Sequence, residues 1–112
     1  MRTKIYQIDS ALDTNRVRFL GFNEIEDLFG NTKINPSIYS LVFDADLDET
    51  DLEDIFKRFN TEGHPLYRGN SMSVSDIVVN DEGAFYCDSI GFKRIDFDES
   101  QAVIPDNLFS MV

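Results

Sequence analysis

IVVNDEGAFYC, residues 77–87, has the pattern of a β-hairpin. Two runs rich in β-branched and aromatic residues flank four turn-forming residues. The connection Asn80-Asp81-Glu82-Gly83 suits a type I turn followed by a glycine that accepts positive φ. A second turn at 88–91 leads to another predicted strand at 92–96. This half of the chain therefore predicts an antiparallel sheet.

A helix is predicted over residues 49–59, because four apolar side chains recur there at the spacing of one helical face: Leu52, Ile55, Phe56 and Phe59. Either Asp48 or Thr50 can cap its N-terminus, the latter with Glu53 completing a capping box. Gly63 and Pro65 end this helix, because neither residue favours its continuation.

A second, shorter helix is predicted over residues 23–29. Asn23 can cap its N-terminus, and Glu26 sits where the acidic residue of a capping box belongs. Gly30 and Asn31 follow it, and both tolerate the left-handed backbone that often ends a helix. The chain thus supplies two helices to pack on the predicted sheet.

Three further segments complete the predicted fold. Residues 4–8 form a first strand, and the near-continuous apolar run at 38–43 suits a strand buried on both faces. Residues 17–22 fit either a strand or an extended connection. We therefore predict one α+β domain over residues 1–112, with a mostly antiparallel sheet and two packed helices.

The composition favours a folded chain without disulfides or a membrane span. Hydrophobic residues make up 42% of the sequence, and ten Phe and four Tyr supply aromatic surface for a core. Cys87 is the only cysteine, so no internal disulfide can form, which fits a reducing compartment. No apolar run approaches the roughly 18 residues of a membrane helix, and the first residues lack the pattern of a signal peptide.

Acidic residues are concentrated in the second part of the chain. Residues 1–43 hold five acids and five bases, whereas residues 44–112 hold sixteen acids and five bases, which accounts for the whole net charge of −11. Seven acids and no base occur in one short stretch: Asp44, Asp46, Asp48, Glu49, Asp51, Glu53 and Asp54. This charge repels nucleic acid and anionic lipid, and it favours cationic protein partners.

Helix chemistry explains about half of this acidic run. Acids near the start of the 49–59 helix complement its dipole, and the spacing predicts two ion pairs within the helix, Glu53–Lys57 and Asp54–Arg58. The acids that helix chemistry leaves unexplained are Asp44 and Asp46, together with a second group made of Asp96, Asp98 and Glu99.

Two residue sets carry incomplete motifs for catalysis or metal binding. Asp44, Asp46 and Asp48 match the start of a calcium loop, but the loop then lacks its glycine and its final bidentate glutamate. Cys87 and His64 are the residue types of a cysteine nucleophile and its base, but Asp88 beside the thiol opposes the electropositive setting that a reactive thiol needs. We expect neither a metal nor a cofactor.

The serines at 71, 73 and 75 are weak candidates for a hydroxyl nucleophile beside Asp76. No Gly-x-Ser-x-Gly elbow surrounds them. Ser73 or Ser75 capping a single turn is the simpler interpretation. Arg68 could hold one anionic group, but no phosphate-binding glycine loop accompanies it. We therefore predict no catalytic residue and no enzymatic activity.

Two motifs resemble the YodL-like domain family. They are the Ser-x-Ser-Asp-Ile-Val core at 73–78, preceded by Leu66-Tyr67-Arg68-Gly69-Asn70, and the Tyr-x-Asp-Ser-x-Gly-Phe core at 86–92. Residues 4–8 and 18–22 also fit the family's usual start. The resemblance implies a small protein carried by phages or other mobile elements, and it implies no catalytic residues. The acidic run lies outside these motifs.

We therefore expect a non-catalytic binding protein in the cytoplasm of a bacterial host. Its anionic face, the acids of 44–54 joined by those of 96–99, would mimic nucleic acid and inhibit a cationic nuclease, restriction or CRISPR component. It would bind neither nucleic acid nor membrane directly. The first alternative is a protein adaptor that uses an apolar C-terminal patch, Leu108-Phe109-Ser110-Met111-Val112. A weaker alternative is a hydrolase that depends on Cys87 or a serine.

Overall fold

A five-stranded antiparallel sheet organises the chain in the computed structural model, which describes residues 1–105. The strands lie in the order β2-β1-β3-β4-β5. Their bounds are β1 Arg2–Ile8, β2 Tyr39–Asp46, β3 Ile77–Asn80, β4 Gly83–Cys87 and β5 Phe92–Ile95. The predicted α+β class is confirmed. The proposed C-terminal patch at 108–112 lies outside the described residues.

The two helices cover opposite faces of this sheet. Helix α1, Phe22–Phe29, and helix α2, Leu52–Thr61, belong to two separate apolar clusters. Alternate residues of β1 contribute to these two clusters, since Ile5 packs with α2 and Tyr6 packs with α1. We call the two sides the α2 face and the α1 face. Both helices form because each buries one apolar stripe.

The hairpin from β3 to β4 forms as predicted. Asn80 pairs with Gly83, so Asp81 and Glu82 are the two turn residues. The amide of Glu82 donates to Oδ1 of Asn80 at 2.8 Å, and Gly83 has a φ of 139°. The turn chemistry seen in the sequence therefore fixes this connection.

Helix α2 starts later than predicted. Its N-cap is Asp51, whose carboxylate accepts the amide of Glu53 at 2.8 Å. Both predicted caps, Asp48 and Thr50, are wrong. Aspartate is among the strongest N-cap residues, and Asp51 directly precedes the first residue of the helix. The end is as predicted, since Gly63 adopts a φ of 69° and its amide donates to the carbonyl of Arg58 at 2.9 Å.

Helix α1 is capped from a distant part of the chain. Gly21, rather than Asn23, occupies the N-cap position, and Glu24, rather than Glu26, accepts the Gly21 amide at 3.3 Å. Oδ1 of Asp88, in the turn between β4 and β5, accepts the amide of Phe22 at 3.0 Å. The predicted cap at Asn23 is wrong because the helix begins one residue earlier than predicted, and Asp88, which is remote in sequence, accepts the amide of its first residue.

Replacing Asp88 with alanine should destabilise the protein by about 1–2 kcal/mol, because the first amide of α1 and the amide of Ser89 both lose their acceptor. Urea unfolding measures this loss. Asp81→Ala is the matched control, since Asp81 is exposed in the hairpin turn. Equal losses in the two variants would contradict the capping role.

The segment before α1 is a connection, so the alternative of a strand at 17–22 is wrong. The amides of Val17 and Arg18 both donate to the carboxylate of Asp13 at 2.9 Å, and that of Phe19 donates to Oγ of Ser75 at 3.0 Å. Phe19 also has a φ of 70°, outside the range of a strand. Side chains thus take the hydrogen bonds that a neighbouring strand would have made.

Strand β2 is buried on both faces, as predicted, although it lies at the edge of the sheet. Leu41, Val42 and Phe43 are 2%, 8% and 0% exposed. The pairing with β1 is irregular at Val42, and the carbonyl of Val42 accepts the amide of Arg68 at 2.8 Å. Val103 bonds to the backbone on either side of Ser40. Other segments therefore cover the polar edge that β2 would otherwise expose.

Candidate functional site

The acidic run divides at Leu47, which is 4% exposed. Asp44 and Asp46 belong to β2 and alternate with Phe43 and Ala45, whose side chains pack on the α2 face. Asp44 and Asp46 therefore lie on the α1 face. The other five acids follow Leu47, in the loop before α2 and in its first turn. These seven acids form one run in the sequence, but the fold divides them between two places.

Asp44 is largely neutralised within the protein. Its Oδ1 accepts Nε of Arg2 at 2.6 Å, and its side chain is only 15% exposed. Asp46 pairs with Arg2 in the strand register but is exposed and forms no ion pair within 4.0 Å among the described residues. Asp46 therefore presents the more available charge of the two.

The second acidic group reaches the first at one point. Oε1 of Glu99 accepts the hydroxyl of Tyr6 at 2.6 Å and Nζ of Lys4 at 3.1 Å. Lys4 lies opposite Asp44 in the register of β1 and β2, so Glu99 and Asp44 share the α1 face. Phe97 brings this segment across the sheet, because its ring packs 5.0 Å from that of Tyr6.

Asp98 and Asp96 contribute less to the contact between the two acidic groups. Asp98 caps a short 3-10 helix at Glu99–Gln101, and hydrogen bonds from Ser100 lower the pKa of the Asp98 carboxyl. Asp96 is exposed before that turn. Of the three acids at 96–99, Glu99 is thus the one held beside the acids of β2, and Lys4 offsets its charge.

The ion pairs of helix α2 differ from those predicted. Nη1 of Arg58 donates to both carboxylate oxygens of Glu49 at 3.0 Å, and its Nε donates to the carbonyl of Gly63 at 3.2 Å. The predicted Asp54–Arg58 pair is therefore wrong, because the guanidinium is engaged elsewhere. The predicted Glu53–Lys57 pair is wrong as well, since no such contact within 4.0 Å occurs between residues 1 and 105.

Within the 44–54 run, five carboxylates are exposed and form no ion pair with another described residue. We call them the acidic rim: Asp46, Asp48, Asp51, Glu53 and Asp54. They fall within nine residues at the end of β2 and the start of α2. The positive end of the helix dipole stabilises those of the first turn without removing their charge. The rim is thus a concentrated anionic surface.

A buried polar network lies under the Ser-x-Ser-Asp motif, and the sequence did not reveal it. Oδ2 of Asp76 accepts Nε2 of Gln7 at 3.0 Å and the amide of Ser73 at 2.9 Å. Tyr67 also accepts from Nε2 of Gln7, and the hydroxyl of Tyr39 donates to the carbonyl of Ser75 at 2.7 Å. Burial raises the pKa of Asp76 to about 7. The network holds the loop before β3 against β1.

Cys87 and His64 do not form an activated pair. The thiol is buried, and burial raises its pKa to about 12, which disfavours the thiolate. Nδ1 of His64 accepts the amide of Leu66 at 3.0 Å, and the His64 ring packs 4.8 Å from that of Phe43. Both residues therefore serve packing and loop geometry.

Ser75 has a structural role, and the calcium-like pattern forms no metal site among the described residues. Oγ of Ser75 accepts the amide of Phe19, and Ser75 is completely buried with a φ of 86°. The turn at 73–76 uses the carboxylate of Asp76 as acceptor, so the predicted serine cap is wrong. Within residues 1–105, no three His, Cys, Asp or Glu side chains converge in a way that could hold a metal ion.

A cleft of about 1140 Å³ opens on the α1 face. Residues 13–17, helix α1, residues 31–38 and residues 94–101 form its walls, and Tyr39 and Tyr86 are among the residues that line it. No motif in the sequence indicated this cleft, because its walls come from four separated segments. The hydroxyl of Tyr86 donates to the carbonyl of Leu20 at 2.6 Å, so its proton is already used within the protein.

Comparison with known proteins places this fold and its motifs in a family. The model of the YodL-like domain matches residues 2–97. Uncharacterized protein R785 of Acanthamoeba polyphaga mimivirus is 33% identical over 108 residues, which cover 85% of this chain and 93% of that protein. No solved structure matches the chain. Neither helix within residues 1–105 has the length and apolar character needed to cross a membrane.

Proposed function

Because this chain belongs to the YodL-like domain family, for which the resemblance supplies no catalytic residues, we propose that it acts by binding a basic protein. The observation that carries the proposal is the acidic rim, with five exposed carboxylates that have no ion pair within residues 1–105. A cationic partner gains charge complementarity there without first displacing an internal base.

The partner that fits this surface is a protein that handles nucleic acid. Carboxylates three and four residues apart on a helix lie about 5–6 Å from one another, a repeat similar to that of phosphates along a strand. Asp51 and Asp54 have this spacing at the start of α2. A groove that binds a phosphate backbone would therefore accept the acidic rim, and binding would block the groove.

A viral setting supports an inhibitory role. The mimivirus protein shows that a similar chain occurs in a virus, and viruses and mobile elements benefit from disabling host proteins that attack nucleic acid. Inhibition of a restriction or CRISPR component is one form of this proposal. The general form is competition with nucleic acid for a basic groove of a host protein.

Neutralising the acidic rim should strongly weaken partner binding while the fold is retained. The variant is Asp46→Asn, Asp48→Asn, Asp51→Asn, Glu53→Gln and Asp54→Asn, and the cap of α2 is kept because asparagine is also a strong N-cap residue. Binding should fall by about a hundredfold, since several close charge pairs are lost together. Pull-down from host lysate at about 50 mM salt, with the captured proteins tested for displacement by duplex DNA, measures this loss.

The control variant removes the same number of acids elsewhere, at exposed positions: Glu26→Gln, Asp27→Asn, Glu62→Gln, Asp81→Asn and Glu82→Gln. It should bind like the unmodified protein. Binding should also weaken steeply between about 50 and 300 mM salt, because screening shortens over that range. Salt-independent binding, or equal losses in both variants, would overturn the proposal.

A further inference from the structure

Two arginines are half-buried yet form no ion pair within residues 1–105. The chain holds ten basic residues, and four of them lie within 4.0 Å of a carboxylate of residues 1–105. Arg18 and Arg68 are not among these four, although 21 acids are available to the chain. Both arginines line the same hollow, which has a volume of about 360 Å³. Two half-buried arginines beside one hollow make it a candidate site for an anionic ligand.

The hollow lies away from the acidic rim. It is bordered by the end of β1 at Gln7 and Ile8, and by β2 from Ser40 to Val42. In the sheet register Ile8 pairs with Tyr39 at this end, whereas Arg2 pairs with Asp46 at the other. The two surfaces therefore occupy opposite ends of the strand pair and can bind different molecules.

Neutral groups hold both guanidinium groups in place. Nη1 of Arg68 donates to the carbonyl oxygens of Pro65 at 2.8 Å and Tyr67 at 3.2 Å. The guanidinium carbon of Arg18 lies 4.5 Å from the centroid of the Phe19 ring. Carbonyls and an aromatic ring orient a guanidinium without cancelling its charge, and each fork has further donors to offer.

The acids nearest to this hollow are engaged in other bonds. Asp9 lines the hollow itself, and its Oδ1 accepts the amide of Ala11 at 2.9 Å. Oδ2 of Asp76 accepts from Gln7 and Ser73, and the charge of Arg18 opposes the rise in the pKa of Asp76 without forming an ion pair. Two hydroxyls at the rim of the hollow, Ser10 and Ser40, form no side-chain hydrogen bond among the described residues and can add donors.

We propose that Arg18 and Arg68 form a binding site for the phosphate group of a small molecule. The two arginines come from different loops, before α1 and after α2, and in the proposed site each would offer the donors of one guanidinium group. Such donors suit the three terminal oxygens of a phosphate better than a planar carboxylate, which one arginine fork can satisfy. The volume is at the lower end of ligand pockets, and the net charge of −11 repels a long polyanion.

Titration with inorganic phosphate tests the site. Amide NMR shifts are followed in the full chain at constant ionic strength, set with chloride. Saturable shifts are expected at the residues bordering the hollow, 7–10, 40–42 and 68–70. Arg18→Gln and Arg68→Gln should each weaken phosphate binding roughly tenfold, since each removes charge-assisted hydrogen bonds. The matched control, Arg16→Gln, removes an exposed arginine of the same loop and should bind phosphate normally.

Three results would overturn the site. They are the absence of saturable shifts, equal weakening in Arg16→Gln, and acetate binding as tightly as phosphate. Should a glutamine variant fail to fold, Arg18→Lys and Arg68→Lys keep the charge but lose the fork. These variants should retain part of the affinity, and unchanged affinity in both would also contradict the proposed geometry.

Discussion

Replacing Asp76 with asparagine should stabilise the protein above pH 7 and flatten the pH dependence of its stability. Asp76 is 3% exposed, and burial raises its pKa to about 7. In the unfolded chain the pKa of an aspartate lies near 4. Between these two values the folded state holds a proton that the unfolded state has released. Folding stability is therefore fully present below pH 4 and is lost as the pH rises through 7.

The expected difference is large for one carboxyl group. Between pH 5 and pH 8 the unmodified protein should lose about 3 kcal/mol of stability relative to Asp76→Asn. The asparagine carbonyl oxygen can still accept the bonds from Gln7 and Ser73, so the network persists in neutral form. Urea unfolding at several pH values measures both slopes.

Asp81→Asn provides the matched comparison, because Asp81 is an exposed residue of the hairpin turn. Its stability should follow the pH slope of the unmodified protein, since it leaves the buried carboxyl in place. Parallel slopes for Asp76→Asn and the unmodified protein would show that Asp76 does not carry the buried proton. The difference in stability between Asp76→Asn and the unmodified protein at each pH also excludes the repulsion among the remaining acids, because both proteins share it.

Truncating Phe43 to alanine should cost about 3–5 kcal/mol, as for a fully buried aromatic residue. Phe43 is 0% exposed, and its ring centroid lies 5.0 Å from that of Phe59 and 4.8 Å from that of His64. The side chain joins β2 to helix α2, so its removal leaves a cavity between sheet and helix. A domain of this size has a total stability of about 5–15 kcal/mol, so the variant should be close to unfolding.

Phe29→Ala is the control for this loss. Phe29 is 43% exposed at the end of α1, and its truncation should cost less than about 1 kcal/mol. Denaturant unfolding of both variants, with the m-value compared, separates a loss of packing from a change of the unfolded state. Similar midpoints for the two variants would rule out Phe43 as the main link between β2 and α2.

Local sequence patterns predicted the elements of the fold, and distant contacts set their ends. The 77–87 hairpin and the apolar stripe of α2 follow from neighbouring residues, so periodicity and turn chemistry identified them. The start of α1 depends on Asp88, which reaches Phe22 only in the folded chain. The segment at 17–22 looked compatible with a strand because the sequence does not show that the amide of Phe19 bonds to Ser75, which lies 56 residues further along the chain.

The candidate sites likewise combine features that are visible in the sequence with features that depend on distant contacts. The acids of the rim were visible as a charge run, but Leu47 and the strand alternation separate Asp44 from the helix acids. The hollow between Arg18 and Arg68 had no signal in the sequence beyond the isolated Arg68, since its walls come from strands and loops that meet only in space. Ion-pair assignments failed for a related reason, because Arg58 bonds to Glu49 in the preceding loop.

The strand order has a consequence for how the chain folds during synthesis. β1 is made before the other strands but lies between β2 and β3, where Lys4 pairs with both Asp44 and Val79. A nascent chain that has released β2 but not β3 therefore leaves one side of β1 unpaired, with Ile5 and Tyr6 available to other strands. We expect ribosome-bound intermediates of this length to need a chaperone, and the sheet to close only when the β3–β4 hairpin emerges.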